Sequence, residues 1–274
     1  MRTLRHAAVF VIGGGCASPS PVTESVVAHP PPVQQAERHC TNLKLSGEGA
    51  RYPILPMEVA GSPADMYLDT AWANLALGMD SIPTLAVSDR TPTVRGNWGR
   101  QLTMIPLEPA DVTIAGLSTV YRSTERLPVE FFTLTHGKMA GIVGIGPIAA
   151  LASRLSYRPP GRICLSGPRC TRAGKPWTRV QVGEATLDTL IDTGAPHTAV
   201  LRPNTPGTIL RLPGGLQLPT NDIYSPRIRA LKYADALMDG RRVDAIIGWK
   251  SLRALSWDWD VCQGTMELRS ASSG

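Results

Sequence analysis

Two aspartates stand at the ends of apolar stretches, each followed by a hydroxyl residue and then a small one. They lie in Met66-Tyr67-Leu68-Asp69-Thr70-Ala71 and in Thr189-Leu190-Ile191-Asp192-Thr193-Gly194-Ala195. Carboxyl groups can give or take a proton, so the first chemistry to consider is general acid–base work. Each copy is answered downstream by two aliphatic residues and a glycine: Ile142-Val143-Gly144 after the first, Ile246-Ile247-Gly248 after the second. A lone Asp-Thr-Gly carries little information, because so short a motif arises by chance. Two copies, each with its own apolar-apolar-Gly partner, mark the chain as an enzyme.

The elements that must position these motifs form two halves that repeat each other. In the first half, about Tyr52 to Ser166, Met57-Glu58-Val59 reads as a short strand and Ala60 to Pro63 as a turn. Ala64 to Leu68 is then the strand that delivers Asp69. In the second half, from Trp177, the strand is Arg179 to Val182 and the turn Gly183-Glu184. Thr186 to Ile191 delivers Asp192. An apolar stretch follows each aspartate loop, Asn74 to Leu77 and Thr198 to Leu201. The halves also end alike, in a strand, a Gly turn, one short helix (within Ile148 to Leu155 and within Ser251 to Leu255) and a closing hairpin. The same order twice argues for duplication. Residues 167–176, rich in Gly, Pro and basic residues, read as the link between the copies.

Composition suits many short strands joined by turns: 26 glycines and 24 prolines in 274 residues, plentiful aliphatics and few long stretches of helical period. That length allows one large domain or two small ones, either able to bury a core. The net charge of +6 is spread along the chain, with Arg241-Arg242 the densest pair. A nucleic-acid-binding chain concentrates its basic residues in a patch with aromatics among them, so no nucleic-acid partner is expected. Five scattered histidines and no Cys-x-x-Cys pair give no metal-ligand spacing. No metal or other cofactor is expected. A Gly-x-Ser-x-Gly elbow is absent, and His136 and His197 lack an evident nucleophile partner.

At the amino terminus, Arg2 and Arg5 precede a short apolar run, Ala7 to Ile12, and then Gly13-Gly14-Gly15-Cys16. A basic start, an apolar middle and small residues at the cut are the layout of a secretory signal. The run is too short for a retained membrane span, which takes ~20 residues. It resembles a bacterial lipoprotein signal, departing from that pattern at Gly13, where a large aliphatic residue is usual. The resemblance implies a signal over 1–16, lipidation of Cys16, and a membrane-anchored place in the cell envelope, on the periplasmic or outer-membrane side. Ordinary cleavage near Ala17 or Ser18 is the alternative. Residues 17–38, rich in Pro, Ser and Val around Pro30-Pro31-Pro32, cannot bury enough apolar surface to offset ordering entropy and read as a tether. Beyond Cys16 four cysteines remain: Cys40, Cys164, Cys170 and Cys262. In an oxidising compartment an even number suits two disulfides, with three connectivities open. The expected set closes a small loop between Cys164 and Cys170 and ties the first strand to the last through Cys40 and Cys262. Four buried free thiols are the other reading.

The paired motifs resemble those of the aspartic proteases, both pepsin-like and retropepsin-like. Leu190 to Ala195, continuing to Val200-Leu201, is similar to the retropepsin active-site strand. Asp69-Thr70-Ala71-Trp72-Ala73-Asn74-Leu75 is similar to the first pepsin-type motif, with Asn74 and Leu75 in matching places. The likeness runs from about Tyr52 to Leu268 and is strong only at the four motifs. It implies a mostly β, two-lobed acid-protease fold with pseudo-twofold symmetry and short helices. Residues 39–166 would form one lobe and 177–274 the other, each supplying one catalytic aspartate, Asp69 and Asp192.

Two carboxyls about 3 Å apart cannot both ionise, so they share a proton and titrate as a unit. In the reaction this resemblance implies, the ionised member takes a proton from water that attacks the peptide carbonyl. The protonated member donates to the developing oxyanion. Thr70 and Thr193 would bond across the pseudo-twofold to the opposite loop's backbone. Gly194 would let its loop turn tightly, and Ile142-Val143-Gly144 and Ile246-Ile247-Gly248 would brace the loops from beneath. Ala71 stands where the family usually has glycine and fits only with a negative φ. Trp72 and Pro196 occupy places where pepsins commonly put a hydroxyl residue that bonds a catalytic carboxylate. A flap hairpin over the cleft is expected at Thr93 to Arg100, with Gly96 and Gly99 around Trp98. That tryptophan reads either as a substrate contact or as an ordinary packed residue. Leu212 to Leu218, around Gly214-Gly215, is the hairpin candidate of the second half, and His197 reads as a solvated loop residue.

The expectation is therefore an exported, lipid-anchored aspartic endopeptidase that acts on peptide or protein substrates. It would work as a monomer, since it carries both aspartates itself. Set against it are a catalytically inactive peptide-binding lipoprotein on the same fold, and a structural envelope lipoprotein whose two Asp-Thr pairs are fortuitous.

Overall fold

The computed structural model describes residues 38–45, 52–78, 81–82, 85–97, 100–127, 139–201, 209–219 and 242–271. The signal segment with Cys16, the tether as far as residue 37, the flap-tip residues Trp98 and Gly99, and His136 lie outside the described residues. All described residues fall in the unit Ala36–Gly274.

After β1 (His39–Asn42), the first lobe is built from β2 (Lys44–Leu45), β3 (Pro53–Val59), β4 (Ser62–Leu68), β5 (Leu75–Leu77), β6 (Thr93–Asn97) and β7 (Arg100–Pro106). It continues through β8 (Ala110–Ile114), β9 (Leu117–Tyr121), β10 (Thr124–Arg126) and β11 (Gly141–Val143). These pair in the order β6-β7-β10-β5-β11-β4-β3-β8-β9, with β2 on β3. Then come α1 (Ile145–Ala149), β12 (Arg154–Arg158), β13 (Arg162–Ser166), β14 (Trp177–Val182), β15 (Ala185–Asp192) and β16 (Ala199–Val200). The chain closes with β17 (Ile209–Arg211), β18 (Gln217–Pro219), β19 (Ala245–Gly248), α2 (Trp249–Leu252), β20 (Leu255–Asp260) and β21 (Thr265–Ser270). The second sheet runs β1-β13-β12-β20-β21-β14-β15-β19-β16, with β17 on β14 and β18 on β17. The fold is mostly β and two-lobed, with few short helices, as the motifs implied.

Period-two patterning sets the strands. In β20, Leu255, Trp257 and Trp259 point into the core while Ser256, Asp258 and Asp260 stay partly exposed. The β3–β4 turn is shorter than the expected Ala60 to Pro63. Ala60 and Gly61 carry it alone, at φ of 50° and 74°, because a two-residue hairpin whose twist matches its strands needs positive φ at both positions. Strand β4 therefore starts at Ser62. Helix α1 likewise starts earlier than expected, directly after Gly144, and Leu155 already belongs to β12. Pro147 is tolerated because it sits in the helix's first turn, where no intrahelical N–H bond is needed.

Duplication is written into the pairing registers. In the first lobe Met57 faces Ala64 and Ile54 faces Tyr67; in the second Val180 faces Leu187 and Trp177 faces Leu190. Every partner is offset by the same 123 residues that separate Asp69 from Asp192. Strand β11 runs parallel to β4 with Ile142 opposite Tyr67, and β19 runs parallel to β15 with Ile246 opposite Leu190. The lobes meet where β12 pairs antiparallel with β20. There Tyr157 lies opposite Trp257, its own counterpart in the repeat, and the two rings stack at 5.2 Å. A residue paired with its own copy marks a pseudo-twofold axis.

The cysteines form two disulfides, but not the expected pair. Cys40 is joined to Cys164 and Cys170 to Cys262. The reason is strand order. Strand β1 adds to the sheet edge beside β13, which sets Cys40 directly opposite Cys164, while Cys170 reaches the β20–β21 turn that carries Cys262.

Candidate active site

Strands β4 and β15 end at the pseudo-twofold and deliver Asp69 and Asp192 to it. Just past them, the two threonines clasp each other's loops. The Thr70 hydroxyl donates to the Ile191 carbonyl at 2.8 Å, and the Thr193 hydroxyl to the Leu68 carbonyl at 2.7 Å. In return each hydroxyl accepts the other threonine's backbone N–H, both at 3.0 Å. Both side chains are fully buried. Four reciprocal bonds among buried groups fix the two loops firmly, since breaking one strands a desolvated polar atom at a cost of ~1–3 kcal/mol.

The carboxyls converge on one residue. The Gly194 N–H donates to Asp192 Oδ1 at 2.7 Å, while Asp69 Oδ2 and Cγ lie 2.5 Å from where a Cβ at position 194 would stand. A hydrogen bond links the two acids. Asp69 Oδ1 also accepts the backbone N–H groups of Ala71 at 2.9 Å and Trp72 at 3.1 Å. Asp69 is partly exposed and Asp192 buried. Burial pushes Asp69 up to about 6, with the Ala71 and Trp72 N–H bonds, the bond to Asp192 and the Lys175 charge opposing the shift. Burial and then the Asp69 charge raise Asp192 well above the usual carboxylate range, against the N–H groups of Gly194 and Ala195. Both carboxyls are thus raised, and the two titrate as one pair that shares a proton. Such a pair can act on one reactant as acid and base together.

The apolar-apolar-Gly strands support the loops from beneath. The Asp69 N–H donates to the Val143 carbonyl, and the N–H groups of Gly144, Ile145 and Gly146 take the carbonyls of Asn74, Trp72 and Ala73 at 2.8–2.9 Å. In the second lobe the N–H of Trp249 takes the Ala195 carbonyl, and that of Gly248 takes the Thr198 hydroxyl. Glycine is required at both corners. A Cβ at Gly144 would stand 2.4 Å from the Trp72 carbonyl oxygen, and one at Gly248 2.3 Å from that of His197.

The structure thus gathers Asp69, Thr70, Ala71, Asp192, Thr193, Gly194 and both glycine-ended strands, Ile142 to Gly144 and Ile246 to Gly248, around one axis. Ala71 is unstrained, because Ala60 and Ala115 are the non-glycine residues at positive φ among those described. Trp72 contributes its backbone N–H to Asp69. The expected flap is a hairpin of β6 and β7, with Gly96 opposite Gln101. Its Met104 packs with Tyr67 and Trp72 beside Asp69. The expected hairpin of the second half is present: residues 212–216 form the β17–β18 turn, and Gln217 and Leu218 already belong to β18. His197 is exposed. Sequence reasoning assigned no role to Tyr67 or Lys175. Tyr67 stood inside the quoted motif but read as one more apolar strand residue, and no local pattern ties Lys175, in the 167–176 stretch, to Asp69.

No family model matches the chain, and no curated protein matches it by sequence. Solved structures do match in fold. Among them, the aspartic proteinase from Irpex lacteus superposes with a TM-score of 0.52 at 12% identity, over 86% of this chain and 98% of that one.

Proposed function

We propose that the chain is an aspartic-type endopeptidase in which Asp69 and Asp192 activate one water between them. Asp69, ionised, takes a proton from the water as its oxygen bonds to the peptide carbonyl carbon. Asp192 gives its proton to the carbonyl oxygen. As the tetrahedral intermediate collapses and the C–N bond breaks, Asp69 passes its proton to the leaving amine and a hydroxyl of the intermediate returns one to Asp192, which restores both acids. The observation that carries this reading is the reciprocal threonine clasp, which holds the buried Asp192 and the partly exposed Asp69 together over one glycine. Carboxylates serving a sugar-cleaving pair stand ~5 Å or more apart instead. The inactive, peptide-binding reading drew on strain at Ala71, which is absent, and on Trp72 and Pro196 standing in place of hydroxyl residues; at the first of these the Trp72 backbone N–H bonds Asp69. As it carries both aspartates, the chain acts as a monomer on peptide or protein substrates. We further propose export and a lipid anchor on Cys16, with residues 17–38 as tether.

The test is digestion of a peptide library by the mature protein between pH 3 and 7, beside Asp69→Asn and Asp192→Asn. Cleavage by the wild type, abolished in both variants, is expected. Cleavage that survives both substitutions, or a wild type that cuts nothing, refutes the proposal. For the anchor, Cys16→Ala should release the protein from the membrane fraction.

A further inference from the structure

The lobe-crossing side-chain bonds described around the two acids come in symmetric pairs, except those of one residue. Tyr67 lies on β4 two residues before Asp69, and its hydroxyl crosses the axis to the other lobe. It donates to the Gly194 carbonyl at 2.6 Å, with the Thr193 carbonyl 3.3 Å away. One phenol has one proton to give, so the shorter contact is the bond. The matching position in the repeat is Leu190, which is fully buried and has no side-chain donor. Nothing in the duplicated fold requires a tyrosine here.

We propose that Tyr67 is a positioning residue that holds the 193–195 loop, and through it Asp192, in register with Asp69. The ring is anchored in the first lobe, among Trp72, Ala76, Met104, Leu127 and Ile142, with the Tyr52 ring edge-on at 4.9 Å. Its hydroxyl is anchored in the second. The peptide group it grips is adjacent to the one that matters: Gly194 accepts from Tyr67 through its carbonyl and donates to Asp192 Oδ1 through its N–H. Tilting the Gly194 carbonyl therefore tilts the residue that supports the carboxylate. The titratable groups facing the Tyr67 phenol are Asp69 and Tyr52 from the first lobe and Asp192 from the second, and the Lys175 charge acts on Asp69. Burial and both carboxylates keep the Tyr67 phenol protonated, so it remains a donor across the working range.

This deepens the peptidase reading and, for its kinetic arm, rests on it; a second arm needs no turnover. In Tyr67→Phe the ring stays and the bond goes. The Gly194 N–H bond favours ionised Asp192, so loosening it should move the Asp192 carboxyl-carbon titration, followed by ¹³C NMR, to higher pH. With a cleaved peptide, kcat should fall by about tenfold and KM change by less than about twofold, as a misplaced acid affects chemistry more than binding. Ile163→Val, a truncation in the buried β13 strand, gives the response to loss of packing alone. The inference is overturned if the Asp192 titration in Tyr67→Phe overlays that of the wild type, or moves no more than in Ile163→Val. A wild type that cuts no peptide while the titration still moves in Tyr67→Phe sinks the peptidase reading and leaves the positioning role standing.

Discussion

Gly194→Ala probes the site most sharply, because a single methyl group enters the space that Asp69 occupies. The new Cβ would stand 2.5 Å from both Asp69 Cγ and Oδ2 and 2.7 Å from Oδ1. Unstrained carbon contacts begin near ~3.5 Å, so the carboxyl must retreat by about 1 Å. Backbone strain adds nothing, since Gly194 is not among the residues with positive φ and its counterpart in the repeat is already an alanine. Overpacking of this size costs ~1–3 kcal/mol. In a domain this large that lowers Tm by a few degrees, ~2–4 °C for each kcal/mol, and leaves the protein folded. Activity should suffer far more, because a displacement of ~1 Å at the reacting groups costs on the order of a hundredfold. The titration should respond as well. The Asp69 charge helps hold Asp192 high, so moving Asp69 away should bring the Asp192 titration down and shift the alkaline limb of the pH profile to lower pH. The assay is kcat/KM on a library-selected peptide, with ¹³C titration of the aspartate carboxyls. A Gly194→Ala enzyme within about threefold of the wild type, with an unmoved Asp192 titration, would refute the placement of Asp69 over that glycine.

Other perturbations follow from the same geometry. Lys175→Met removes a charge that favours ionised Asp69, so the Asp69 titration should rise further and the acid limb of activity should move to higher pH; an acid limb that stays put counts against this contact. Folding should also report the buried acids. Asp69 titrates at 3.8 unfolded and about 6 folded, so between those values the native state binds more protons and stability falls as pH rises. The loss approaches about 3 kcal/mol for this group. The Asp69→Asn/Asp192→Asn protein should therefore melt higher than wild type at pH 7 and close to it at pH 3.5; equal melting at pH 7 would contradict the burial of the pair. Peptide mapping without reductant should recover Cys40 linked to Cys164 and Cys170 linked to Cys262. Each bridge closes a long stretch, of 124 and 92 residues, so removing one should cost about 4–5 kcal/mol at the chain-entropy limit. A Cys164–Cys170 peptide would overturn the pairing.

The two-lobed β architecture was legible because each half carries its own start and stop. An alternating or apolar run leads to Asp-Thr, and an aliphatic pair ends on a glycine that no larger residue can replace. Those glycines can be read without coordinates because a backbone carbonyl passes where their Cβ would be. The disulfides could not be read this way. Cys164 and Cys170 are close in sequence, but whether Cys40 lies beside Cys164 depends on which sheet edge β1 joins, and that is decided by tertiary packing. Ala71 looked doubtful from sequence because its φ is invisible there. Tyr67 was hidden for another reason: a tyrosine in an apolar strand satisfies the burial pattern whether or not its hydroxyl finds a partner, and here the partner lies 127 residues away.

Duplication alone would make the two acids equivalent, with a shared proton held equally by each. Three features without a symmetric copy break that equivalence, and each bears on the same pair. Gly194 leaves room for Asp69 to lie over the opposite loop, where the matching Ala71 fills its space with a methyl group buried among Leu190, Ala199, Leu201 and Val243. Lys175 lowers the cost of charge on Asp69. Tyr67 ties down the loop that carries Asp192. Burial raises both acids; the Lys175 charge opposes that rise at Asp69, and the Asp69 charge adds to it at Asp192. For the reaction proposed, such asymmetries are what would decide which of the two acids starts as the base and which as the acid.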